Sequence, residues 1–74
     1  MVQSNLIGIR KNNHLSQKEL ANIIGTSTQT YCDKELGKKQ FKCNEMFTLA
    51  KYFNLTVEDI FLPSILQNGV KESD

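Results

Sequence analysis

Thr28, Gln29, Cys32, Asp33 and Leu36 fall on one side of a helix when successive residues are placed about 100° apart. Ser27, Tyr31, Lys34 and Glu35 share the other side. The first side is short and polar, and it begins at a helix N-terminus. Such a face suits recognition of base edges. A glutamine amide can pair with adenine N6 and N7 for ~1–3 kcal/mol of discrimination, and a carboxylate can accept from cytosine N4. Gln29 is therefore the first candidate, and Thr28 can meet a thymine methyl or a phosphate. Asp33 is ambiguous, because its charge also repels a phosphate backbone. Cys32 reads as a small residue that permits close approach; a redox role would need a depressed thiol pKa. The competing reading of the whole face is plain solvated helix surface.

Little else in the chain is equipped for chemistry. One histidine, His14, and two cysteines, Cys32 and Cys43, show no metal-ligand spacing. No zinc site, cofactor or small-molecule ligand is expected, and with no clustered nucleophile the chain is not expected to be an enzyme. His14 reads as a residue at a helix end, where a cation suits the dipole. The net charge of +1 does not announce a nucleic-acid partner. Its distribution says more. Lys34, Lys38, Lys39 and Lys42 gather around one loop, whereas Glu58, Asp59, Glu72 and Asp74 come late in the chain. These lysines, with the backbone amides near Ser27 and Thr28, are candidate phosphate contacts. Ordinary surface lysines are the alternative.

The elements that position this face can be read locally. Seventy-four residues suffice for one small domain with a modest core. The pattern predicts an all-α fold over residues 1–66, with helices at about 5–13, 17–24, 28–36, 44–53 and 57–62. Residues 1–4 are expected to be loose, and residues 67–74 to form a disordered tail. Ser16 and Glu19 have capping-box spacing, Gly25 and Gly37 stand at helix stops, and Ser27 and Thr56 are further N-caps. Asn54 ends the fourth helix, and Pro63 is expected to stop the fifth near Phe61 or Leu62. Residues 15–38 thus read as two helices joined by a tight turn, the helix-turn-helix. On the fourth helix, Cys43, Met46, Phe47, Ala50 and Phe53 are expected to face inward. The rest of the expected core is Leu6, Ile9, Leu15, Leu20, Ala21, Ile24, Tyr31, Leu55, Val57, Ile60 and Phe61. Phe41 should anchor the lysine-rich loop, and Ile65 and Leu66 should pack on the core or on a second subunit. No apolar run reaches 18 residues, and the N-terminus lacks the layout of a signal peptide. A cytoplasmic protein with free thiols is expected.

The ordered set L15-S16-Q17-x-E19-L20-A21-x3-G25-x-S27-x2-T30-x4-E35-x-G37-K38 resembles the helix-turn-helix domain of the phage repressor and Cro (XRE-like) family. The likeness continues through Leu49-Ala50-Lys51, Phe53 and Val57-Glu58-Asp59-Ile60-Phe61, and so covers about residues 5–62. It implies a five-helix, lambda-repressor-like domain that regulates transcription as a homodimer on a palindromic operator in double-stranded DNA. It implies that Gln17 contacts a phosphate or supports the recognition-helix glutamine. It also implies that Arg10 and Glu35 form a structural ion pair between the first and third helices. Lys34 departs from the pattern, which has a bulky apolar residue there; its stem can pack while its ammonium reaches solvent or phosphate. Lys42 departs too, standing where a capping Ser or Thr is usual. Near-neutral charge, Asp33 and the outward Leu36, and the apolar Ile65-Leu66 favour a second reading, a protein-interaction module of the same fold, antitoxin-like or regulator-binding, with little DNA affinity.

Overall fold

The computed structural model describes residues 1–64. Among these residues the chain forms five α-helices and no strand: α1 (Ser4–Asn12), α2 (Gln17–Ile24), α3 (Thr28–Glu35), α4 (Cys43–Phe53) and α5 (Val57–Ser64). The expected tail at 67–74, and the expected packing of Ile65 and Leu66, lie outside the described residues.

Short-range hydrogen bonds set the helix ends. Ser16 Oγ accepts from the Glu19 amide at 3.0 Å, and the Glu19 carboxylate accepts from the Ser16 amide at 2.7 Å. Thr56 and Asp59 repeat this reciprocal box before α5, at 3.0 and 3.1 Å. At their C-termini, α1 to α4 each give way to a residue of positive φ: His14, Gly25, Gly37 and Asn54. The next amide then reaches back to the last turn, Leu15 to Arg10, Thr26 to Ala21, Lys38 to Asp33 and Leu55 to Ala50. Carbonyls that a helix would leave without partners are satisfied in this way. At Gly37 a Cβ would also run into the Met1 backbone, so neither conformation nor space admits a side chain.

Two expected boundaries need correction, and a third shifts by one residue. Residues 1–4 were expected to be loose, but Gln3 is buried and its amide donates to the Glu35 carbonyl at 2.8 Å. The end of α3 has an unpaired carbonyl to offer, and the N-terminal segment takes it. The fifth helix passes through Pro63 to Ser64 instead of stopping at Phe61 or Leu62. Proline costs α5 one bond, to the Asp59 carbonyl, and Asp59 is exposed, so water can serve that oxygen. Lys42 makes no side-chain cap; Glu45 instead accepts the Lys42 amide at 2.9 Å, and α4 starts at Cys43.

The helices pack α2 on α3 and α4, α5 on α4 and α1, and α1 on α3. Leu6, Leu20, Ala21, Tyr31, Phe41, Leu49, Ala50, Ile60 and Phe61 are buried at the centre. Ile9, Leu15, Ile24, Phe53 and Val57 pack against them. Phe41 enters from the loop and meets Tyr31 and Phe61 edge-on or tilted, with ring centroids 5.9 and 5.2 Å away. Two expected core residues lie outside: Phe47 is 64% exposed and Leu55 is 39% exposed. Cys43 is exposed as well. The buried stripe of α4 is Glu45, Leu49 and Ala50, flanked by Met46 and Phe53. Leu55 follows the left-handed Asn54 at the rim of the fold, where its amide closes α4.

Candidate functional site

The helix-turn-helix is α2, the turn at Gly25, and α3. Ser27 opens α3 by accepting from the Thr30 amide at 3.1 Å, and its hydroxyl donates to Thr30 Oγ1 at 2.9 Å. The two sides of α3 then divide as the helical spacing requires. Tyr31, Lys34 and Glu35 are buried. Thr28 and Gln29 are exposed, Cys32 and Asp33 are half-buried, and Leu36 is 50% exposed. The polar flank therefore protrudes from the body of the protein.

The buried side is held by Glu35, whose carboxylate is almost fully enclosed. Arg10 Nε donates to Oε2 at 2.7 Å and Arg10 Nη2 to Oε1 at 3.4 Å. Tyr31 donates its hydroxyl at 2.8 Å and Gln17 its amide at 2.9 Å. Arg10 Nη1 also reaches the Leu15 carbonyl at 3.0 Å. Residues of α1, α2 and α3 thus converge on one carboxylate. The resemblance implied the Arg10–Glu35 pair. Tyr31 stands one turn before Glu35 on the same side of α3, so helical spacing already brings the two together; nothing in the local pattern pointed to Gln17 as a further donor. Gln17 turns towards Glu35 and not to Gln29, although its amide keeps a second hydrogen for an outside acceptor.

Burial pushes the Tyr31 phenol above the usual tyrosine range. The hydrogen bond to Glu35 and that residue's charge push the same way, and Arg10 opposes them. A folded state that resists ionisation is fully favoured below the unfolded value, ~10, and loses stability as pH rises beyond it. Urea midpoints should therefore fall between about pH 9 and pH 11 more steeply for the wild type than for Tyr31→Phe. Parallel pH profiles would rule out this linkage.

The lysines do not behave alike. Lys38, Lys39 and Lys42 are exposed around the loop that follows α3. Lys34 was expected to offer its ammonium to solvent or phosphate, and here the structure departs from expectation. It is buried, and Nζ lies 2.5 Å from Glu45 Oε1 and 5.8 Å from the Phe41 ring centroid. A buried ammonium needs a counter-charge, and Glu45 supplies it from α4. Burial alone would raise the Glu45 pKa, but the Lys34 hydrogen bond, the Lys42 amide and both lysine charges outweigh it and hold the group below the usual carboxylate range. On the outer face, Gln29 Nε2 donates to Asp33 Oδ1 at 3.1 Å. Cys32 and Cys43 are free thiols. No helix among the described residues is long and apolar enough to cross a membrane.

No family model matches the chain. No solved structure matches it either. An uncharacterized HTH-type transcriptional regulator of Methanocaldococcus jannaschii is 39% identical to it over 49 residues, which span 66% of this chain and 74% of that protein. The likeness covers two thirds of a chain whose helices, capped turn and outward polar flank are those of a helix-turn-helix. The chain belongs to the HTH-type transcriptional regulators.

Proposed function

We propose that this regulator binds a short palindromic operator in double-stranded DNA as a homodimer of the phage repressor and Cro type, with no catalytic step. The observation that carries the reading is the division of α3. Its inner side is fully engaged by the fold, and its outer side presents Thr28 and Gln29 to solvent from the helix N-terminus. In a helix-turn-helix the N-terminal residues of the second helix are the ones that reach base edges. Two copies are needed because one copy on a half-site makes few contacts, and two-fold pairing places two such helices about one DNA turn apart.

Within this reading Gln29 pairs with adenine. Its amide nitrogen has two hydrogens, so one can stay on Asp33 while the other meets N7, with the carbonyl left for N6. Asp33 then orients Gln29 and is not itself a base reader. Cys32 allows close approach. Lys38, Lys39 and Lys42 contact phosphates, together with the free hydrogen of Gln17 and the backbone amides beside Ser27; Lys34 does not. The exposed Leu36 next to Asp33 favours a second reading, a module that binds another protein and ignores DNA.

A salt titration separates the two. A preferred duplex is first selected from a random pool, and affinity is then followed against ionic strength. DNA binding is expected to weaken steeply, with a log–log slope near −0.9 per phosphate contacted. Gln29→Ala should lower the preference over random duplex by about 5- to 150-fold, the equivalent of ~1–3 kcal/mol. Lys38→Ala should weaken all duplexes alike and reduce the slope by about 1. A protein that ignores every duplex at low ionic strength would overturn the proposal.

A further inference from the structure

The backbones of α3 and α4 do not pack directly on each other. Yet the proposed contacts are divided between them. Thr28 and Gln29 stand on α3, whereas Lys38, Lys39 and Lys42 lie on the loop that ends at the start of α4. A duplex has a fixed distance between base edge and phosphate, so the two groups need a fixed spacing.

Lys38 and Lys39 are held to α3 directly, because both of their amides donate to the Asp33 carbonyl, at 2.8 and 3.3 Å. Lys42 lies farther along the chain, and for it one oxygen supplies the spacing. Glu45 Oε1 accepts from Lys34 Nζ at 2.5 Å and from the Lys42 amide at 2.9 Å. The first donor belongs to the last turn of α3, and the second is the backbone that precedes α4. Phe41 fills the space beside the pair, 5.8 Å below the ammonium, and its ring is rooted among Tyr31 and Phe61. Both charged side chains are more than nine-tenths buried. Burying an ion pair is seldom a route to stability, because apolar residues of similar size often do as well or better. A point contact with two directional donors does what apolar packing cannot: it fixes an angle and a distance.

We infer that Lys34 and Glu45 are positioning residues for DNA recognition, setting the recognition helix against Lys42 and the start of α4 through a shared carboxylate oxygen. The inference rests on the DNA-binding reading above. It also explains why Lys34 can be given up as a phosphate contact: its charge is spent inside the protein.

The test is the double variant Lys34→Met, Glu45→Met, compared with the wild type on the selected duplex and on random duplex. The net charge is unchanged, so long-range attraction to DNA is preserved. The expected result is a melting temperature equal to or above the wild type, an unchanged response of random-duplex binding to salt, and a preference reduced at least about tenfold, the scale of one lost base contact. Glu45→Gln strands the Lys34 ammonium and should lower the melting temperature, but it keeps an acceptor oxygen within reach of both donors and should retain most of the preference at a temperature where it is folded. If the methionine pair fails to fold, Glu45→Asp decides. Shorter by one methylene, it can still accept from the Lys42 amide, as Asp59 does from the Thr56 amide at 3.1 Å, but it draws back from Lys34 Nζ and loosens the link to α3, so the preference must fall at a temperature where the variant is fully folded. A folded double variant, or a folded Glu45→Asp, that retains full preference overturns the inference while leaving DNA binding intact. Failure of the wild type to bind any duplex would instead remove the reading on which the inference rests, and the inference with it.

Discussion

Replacing Glu35 by alanine is expected to destabilise the fold by ~3–5 kcal/mol, the cost of stranding a buried charge. That is a large share of the ~5–15 kcal/mol that holds a small domain together. Three side chains lose their acceptor at once. Arg10 is left buried with the Leu15 carbonyl, Tyr31 keeps a hydroxyl with no partner, and Gln17 loses its inward bond. Arg10→Ala should cost less, because Glu35 then still accepts from Tyr31 and Gln17, but more than an ordinary surface change of about 0.5 kcal/mol. Urea denaturation of the three proteins orders these values. Similar midpoints for all of them would mean that the carboxylate does not organise the inner side of α3. Because that side anchors the helix carrying Thr28 and Gln29, Glu35→Ala should also abolish selective binding at temperatures where the wild type still discriminates.

Leu49→Ala is expected to cost ~2–5 kcal/mol, the range for truncating a fully buried leucine. Phe47→Ala, two residues earlier, should stay within about 0.5 kcal/mol. Leu49 is fully buried, whereas most of the Phe47 side chain lies in water. Thermal melts of the two variants measure the contrast directly, and equal losses would contradict the observed rotation of α4. The contrast matters because the apolar pattern favours the other rotation. Cys43, Met46, Phe47, Ala50 and Phe53 form a good apolar stripe at helical spacing, and a reading by hydrophobicity selects it. The true inner stripe is led by Glu45, which such a reading assigns to solvent. Its burial makes sense only once Lys34 is known to stand opposite.

That case separates what was legible in the chain from what was not. Most helix ends were legible, since a cap or a left-handed stop depends on residues within about five positions of one another; the end of α5, which passes through Pro63, was not. Ser16 with Glu19, Gly25, Ser27, Gly37, Asn54 and Thr56 all act where the order of residues places them. The outward polar flank of α3 was legible for a related reason, because a helix fixes which side chains share a side. The partnerships across the fold were not. Lys34 finds Glu45 across 11 positions, Gln17 finds Glu35 across 18, and Arg10 finds it across 25, the last visible only through a family likeness. Residues 1–3 settle on the end of α3 because a carbonyl there lacks a partner, which no short window of sequence reveals. Local order determined where most of the helices start and stop and which side of α3 is polar. Tertiary packing decided which charges could be buried and how α4 is rotated, because a charge enters a core only when the fold brings its counter-charge to meet it.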